Sequence, residues 1–159
     1  VAEKVTGLSA ESTYDNAAMA WGRDHEAEAR GFFEAETGLT VATCGMYMHP
    51  TLPSGASPDG IIESEDAVLE LKCPNTKTHL GYLDLGVLPA KYKAQVQWQM
   101  ACTGRKKAHF ASFDPRMPSH KMFRTVVERD DAYIAKIERE IEAFFVEVEE
   151  MIERLGLNA

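Results

Sequence analysis

At 159 residues, with 45% hydrophobic and 26% charged side chains, the chain is long enough for one domain with a sizeable core and short for two. No apolar run approaches the roughly 20 residues that span a bilayer, no signal peptide is visible, and the first residue is Val1 rather than Met. Cys44, Cys73 and Cys102 form no CxxC pair and leave an odd count, which argues against zinc and a disulfide framework and for reduced thiols.

Residues 14–36 read as a helix, with Ala17, Ala18, Trp21, Ala29, Phe32 and Phe33 in an apolar stripe and Gly38 as the stop. Residues 40–47 look like a strand, and 49–58, rich in Pro, Gly and Ser, like a turn. Residues 59–63 and 67–72 look like two strands joined by Ser64, Glu65 and Asp66 as a short polar hairpin link. Residues 74–89 read as irregular, with Gly81, Gly86 and two prolines. A helix follows over 91–102, ended by Gly104, then strands over 108–113 and 122–128. A long amphipathic helix spans 130–155, with Tyr133, Ile137, Ile141, Phe144, Phe145, Val148 and Ile152 on one face. The order α-β-β-β-α-β-β-α describes a mixed α/β fold in a single domain over 1–159.

The net charge of −8 argues on its face against a polyanionic partner, but it is unevenly spread. Between Glu70 and Asp130 stand seven Lys and four Arg against five acids, a net of +6, leaving −14 for the rest. A basic middle between acidic ends fits a polyanion-binding centre on a repelling body, and a solvated mixed surface fits it equally well. Arg105, Lys106 and Lys107 are either a phosphate contact or a solvated turn. The five histidines form no ligand cluster by spacing, and Trp21 and Trp98 read as core.

The most informative stretch is Ser57-Pro58-Asp59-Gly60 followed by Leu69-Glu70-Leu71-Lys72. On a strand, residues two apart share a face, so Glu70 and Lys72 point one way while Leu69 and Leu71 point into the core. Asp59 opens the preceding strand, and a short hairpin register can bring it beside Glu70. Two carboxylates with a backbone carbonyl suit Mg²⁺, and a lysine beside them can orient or deprotonate water. A bare ExK pair is usually the wet face of an edge strand; the Asp-Gly turn one strand earlier is what lifts this one above that reading.

This arrangement resembles the PD-(D/E)xK nuclease superfamily. With Ala20-Trp21-Gly22 leading to Glu26, then Cys73-Pro74, Ala94-Gln95-Val96-Gln97 and Phe113-Asp114-Pro115-Arg116-Met117, it resembles the phage lambda exonuclease, or YqaJ-like viral recombinase, family over essentially the whole chain. The resemblance implies a restriction-endonuclease-like core, a mixed central β-sheet flanked by helices. It implies Asp59, Glu70 and the Leu71 carbonyl as ligands of Mg²⁺ or Mn²⁺, with Glu26 toward a second ion or its waters. Lys72 and Gln95 would attend the attacking water. Ser57 would contact the terminal phosphate, and Arg116 and Gln97 would contact DNA. The implied activity is 5′-to-3′ digestion of one strand at the ends of linear double-stranded DNA, leaving 3′ tails for a single-strand annealing protein. The implied setting is a homotrimeric ring, with no membrane, in the cytoplasm of a bacterium hosting a phage or prophage. The family's N-terminal segment, with an arginine that holds the 5′-phosphate, is absent from the chain on this reading. A PD-(D/E)xK endonuclease or structure-specific nuclease, and a catalytically silent DNA-binding module of the same fold, are the alternatives.

Overall fold

A computed structural model describes residues 1–8 and 17–157. Its centre is a four-stranded sheet in the order β3-β4-β5-β6, made of Gly60–Ile62, Ala67–Lys72, Lys107–Phe113 and Met122–Glu128. β3 and β4 are antiparallel, β4 and β5 parallel, and β5 and β6 antiparallel. A parallel pair needs a crossover connection of a dozen or more residues. Here two helices, α3 (Thr76–Leu85) and α4 (Lys93–Thr103), supply it. A short helix α1 (Ala2–Thr6), the long α2 (Ala17–Thr37) and the terminal α5 (Asp131–Arg154) complete the helices, and Tyr47–Met48 (β1) pairs with Gly55–Ala56 (β2) in a small second sheet.

The two faces of β4 divide the core. Leu69 and Leu71 pack with Ala29 and Phe33 of α2 and with Ala111 and Phe113 of β5. Val68, on the other face, packs with Val96 and Met100 of α4. β4 is therefore buried on both sides, as central strands of mixed sheets are. A third cluster sets Tyr82 of α3 against Phe110 and Phe123. α3 is fixed further by His79, whose ring nitrogens meet Ser112 Oγ at 2.8 Å and the His120 carbonyl at 2.9 Å, with His79 and Ser112 fully buried.

Three expectations are corrected. The stretch 74–89 is not irregular: it contains α3, capped by the Asn75 side chain accepting from Thr78 N–H and ended at Gly86 with φ 69°. The strand over 40–47 reduces to a bridge from Ala42 to Ile61 and the pair Tyr47–Met48, while the expected turn 49–58 contains β2. On α5 the buried residues are Ile134, Val148 and Ile152, whereas Phe144 is 58% exposed. The hairpin link is a 3₁₀ turn over Glu63–Glu65, closed by Asp66 in the left-handed region at φ 52°. Arg105 is tied to this link by Glu63 at 2.6 Å and Asp66 at 3.5 Å, which is the reading of a turn, not of a phosphate contact.

Candidate active site

The hairpin register pairs Gly60 with Leu69, so Asp59 lies across from Glu70 at the end of the β3–β4 ladder. Asp59 N–H donates to the Leu69 carbonyl at 3.0 Å, and its Oδ2 accepts from Leu71 N–H at 2.6 Å. The side chain thus replaces the next rung of the ladder. Glycine at 60 has a steric reason: a Cβ there would fall 2.2 Å from Val41 Cγ1, in the segment that bridges to Ile61. Any larger residue would have to displace the Val41 side chain.

Glu70 is 1% exposed on the α4 side of β4. Its Oε1 accepts from Gln95 Nε2 at 2.7 Å and pairs with the Lys72 ammonium, and its Oε2 accepts from Gln99 Nε2 at 2.5 Å. A buried charge needs such partners, and here all are supplied by α4 and β4. Lys72 also lies 5.4 Å from the centre of the Tyr92 ring. Glu26 on α2 accepts from Arg30 at 2.7 Å. Glu26, Asp59, Leu71 and Lys72 line one cavity of about 370 Å³ with Met19, Gly22, Cys73, Pro74 and Tyr92.

Charge in this cavity is crowded. Burial pushes the Asp59 carboxyl up to about 7, the negative charges of Glu70 and Glu26 add to the push, and the Leu71 amide and Lys72 work against it. Burial works to lower the Lys72 pKa, but the Glu70 and Asp59 charges outweigh it and hold the ammonium above its ordinary value. Burial, with Glu26 and Asp59, lifts the Cys73 thiol to about 11, too high for a thiolate nucleophile at neutral pH.

These residues fit a divalent ion. Burial and the Glu70 and Glu26 charges disfavour the ionised Asp59 carboxyl, and a cation beside it would relieve them. Its Oδ1 accepts no hydrogen bond from the described residues, and the donor set is hard oxygen: Asp59, Glu70, the Leu71 carbonyl and Glu26 at the cavity wall. Among the described residues no group of three His, Cys, Asp or Glu side chains is placed to hold a metal ion, so an ion here would rest on fewer carboxylates and retain waters, as Mg²⁺ does.

The other expected residues fall in different places. Arg116 follows β5 and is held by Asp114, which is fully buried and accepts from Arg116 Nε at 2.7 Å and from Thr76 Oγ1 at 2.6 Å. Burial alone would raise the Asp114 pKa, but these hydrogen bonds bring it down to about 2. The Arg116 guanidinium lies 4.4 Å from the Trp21 ring, whose other neighbour is His25 at 3.7 Å. It faces a second cavity of about 500 Å³ that also takes in Lys91, Tyr82 and Trp21 and shares Cys73, Pro74 and Tyr92 with the first. Trp21 therefore belongs to a cavity wall and not to the core. Ser57 is exposed two residues before Asp59 and does not line the acidic cavity. Gln97 is not at the site: it is 1% exposed, donates to the Glu128 carbonyl at 2.8 Å and accepts from Asp130 N–H at 2.9 Å, pinning the β6–α5 junction. Sequence reasoning passed over Gln99, although its position one turn after Gln95 places both amides on one helix face.

Comparisons with known proteins bear on the family and the fold. The YqaJ-like viral recombinase domain model matches residues 1–106. The crystal structure of an alkaline exonuclease from Laribacter hongkongensis is 43% identical, with a TM-score of 0.89 over 98% of this chain and 78% of that one. Its complex with dAMP is 44% identical, also at 0.89, over 97% of this chain and 78% of that one. A phage-related exonuclease from Haemophilus somnus 129PT shares the fold at a TM-score of 0.76 with 14% identity, over 96% and 79% of the two chains.

Proposed function

Since the chain belongs to the YqaJ-like viral recombinase domain family and is by that kinship a nuclease of the exonuclease type, we propose that it is a divalent-metal-dependent deoxyribonuclease that digests one strand of linear duplex DNA from its 5′ end. The observation that carries the proposal is the gathering of Asp59, Leu71, Lys72 and Glu26 on one cavity, with Glu70 beside Asp59 and bonded to Lys72. A catalytically silent module would have no use for so charge-crowded a pocket.

Asp59, Glu70 and the Leu71 carbonyl would hold Mg²⁺ or Mn²⁺, with Glu26 toward a second ion or its waters. A bound ion would polarise the phosphate and ease ionisation of water. In the hydrolysis the water oxygen bonds to phosphorus and the bond from phosphorus to the 3′ oxygen breaks. The water proton leaves to solvent or base, and the departing 3′ oxygen gains one. Each round frees a 5′-mononucleotide and leaves a new 5′-phosphate. Lys72, kept protonated by Glu70 and Asp59, orients the water and offsets phosphate charge in its resting state; it is not a resting base. Gln95 orders this corner through its bond to Glu70. Arg116 and Lys91, on the adjoining cavity, supply positive charge for the neighbouring backbone phosphate, with Ser57 nearer the strand end.

The acidic remainder of the chain repels DNA, so a homotrimeric ring that turns the basic segments inward would concentrate the attraction; light scattering reads this directly, and a processive monomer would defeat it. The 3′ tails would pass to a single-strand annealing protein in a bacterial host of a phage. Linear duplex labelled at the 5′ or 3′ end, with Mg²⁺ or EDTA, tests the activity. Early release of the 5′ label as mononucleotide, with Mg²⁺ only, is expected. Early release of the 3′ label would reverse the polarity, and cleavage of closed circles would favour the endonuclease reading.

A further inference from the structure

The turn after β5 buries a full negative charge that its own geometry does not require. Asp114 is 0% exposed. Its Oδ1 accepts from Arg116 N–H at 3.0 Å, and its Oδ2 accepts from Thr76 Oγ1 at 2.6 Å. A neutral asparagine could close the same turn and meet the same hydroxyl, without the cost of burying a charge. What needs the carboxylate is the Arg116 side chain. Its Nε donates to Asp114 Oδ1 at 2.7 Å, and its Nη2 donates to Asp114 Oδ2 at 3.2 Å and to the Pro74 carbonyl at 3.1 Å. These bonds use three of the five N–H groups of a guanidinium. Trp21 covers the flat face at 4.4 Å. Among the described residues Nη1 makes no hydrogen bond, so the two N–H groups still able to donate are both on that nitrogen.

We propose that Asp114 is a positioning residue for the cleavage reaction: it aims Arg116 so that Nη1 meets one phosphate oxygen at a fixed offset from Lys72. This rests on the reading that Arg116 meets a backbone phosphate. The offset is fixed through the backbone, because Pro74, which Arg116 also holds, stands two residues after Lys72 and lines both cavities. Arg116 paired with Asp114 is locally neutral. It therefore contributes direction to the bound strand more than attraction, and a strand displaced by about 1 Å reacts roughly 10²-fold more slowly.

Single-turnover digestion of linear duplex with Mg²⁺, and anisotropy titration of the same duplex in EDTA, test this on variants shown to be folded by circular dichroism. Asp114→Asn should lower the rate at saturating DNA by about 10²-fold, with affinity unchanged or tighter because a negative charge beside the backbone has gone. In an Arg116→Ala background the same change should cost no further rate. Thr76→Val removes only the bond toward α3 and should keep a rate near wild type. Arg116→Lys keeps the charge but lacks the fork that Asp114 grips, so it should be slow with affinity retained, and it leaves Asp114 in place should Asp114→Asn fail to fold. A fast Asp114→Asn or Arg116→Lys overturns the proposal. So does a full further loss from Asp114→Asn on top of Arg116→Ala, or a Thr76→Val as slow as Asp114→Asn, since either means that Asp114 acts through the fold. An Arg116→Ala that changes neither rate nor affinity removes the phosphate contact itself, which separates that failure from failure of the Asp114 role.

Discussion

Replacing Asp59 by asparagine should make the metal-free protein more stable at alkaline pH, the reverse of the usual loss when a site residue is changed. In the folded chain the Asp59 carboxyl is lifted from 3.8 to about 7, chiefly by burial and then by Glu70 and Glu26. Between those two values the folded state keeps a proton that the unfolded state has lost. Stability therefore falls as pH rises through roughly 4 to 7, and the whole penalty is present above that window. At about 1.4 kcal/mol per unit the ceiling is roughly 4 kcal/mol; Asp59 is only partly buried, so about 2 kcal/mol is the better expectation. Asparagine carries no charge, and its Oδ1 can still accept from Leu71 N–H. In EDTA at pH 8 the variant should melt roughly 4–8 °C above wild type, at about 2–4 °C per kcal/mol for a chain of this size. At pH 5 a little over a third of the penalty is already present, so the gap should shrink to roughly 2–3 °C. Saturating Mg²⁺ should then raise wild type and leave Asp59→Asn unmoved. Thermal melts followed by circular dichroism from pH 5 to 8 supply the measurement. A variant that melts below wild type at pH 8 without metal, or equal Mg²⁺ shifts in the two proteins, would refute the reasoning.

Lys72→Ala should lower turnover by about 10²–10⁴-fold, far more than the loss of one phosphate-facing charge lowers DNA affinity; single-turnover digestion with a binding titration checks it, and near-wild-type turnover would strike Lys72 from the mechanism. Gln97→Ala should cost about 1–3 kcal/mol in urea unfolding, because it orphans the Glu128 carbonyl and Asp130 N–H, with the cleavage rate unchanged at low temperature. A large rate loss at normal stability would return Gln97 to the site. Arg116→Ala should reduce the slope of log affinity against log salt by about 0.9, the value for one phosphate contact on duplex DNA; fluorescence anisotropy across salt concentrations would show an unchanged slope if Arg116 touches none.

What the residues disclosed in advance, and what they hid, follows from the range of the forces involved. The hairpin from Asp59 to Lys72 was legible because its register, its Asp-Gly start and its alternating Leu69-Glu70-Leu71-Lys72 are local. α3 was hidden by its own punctuation: Pro74 and Pro89 lie outside it and Gly86 ends it, yet together with Gly81 they read as a broken segment. The strands β1 and β2 are two residues each, too short for any alternation to show. Gln97 was misplaced because a motif names residues without naming the helix face: at 3.6 residues per turn Gln95 and Gln99 share a side and Gln97 takes the other. The exposed Phe144 likewise fits a helical stripe and still misses the core, because which turns of α5 are covered depends on α4 and not on α5.

The parallel pairing of β4 with β5 also bears on when, during synthesis, this site can first be assembled. Glu70 pairs with Phe110 and Lys72 with Ser112, and both partners are made some forty residues later. The antiparallel hairpin can close early, since its strands are neighbours, but pairing across a crossover is a slower, non-local event. Until it happens, α4, which carries Gln95 and Gln99, lacks its packing against Ala108 of β5. A ribosome that has released residues 1–106, the stretch that carries the family's signature, has already delivered every acid of the site, Lys72 and both glutamines. It has not yet delivered Lys107–Phe113, the strand against which they are held. The acids, the lysine and the glutamines are thus all made before the strand that completes their support, and the site is assembled only after Lys107–Phe113 has joined the sheet.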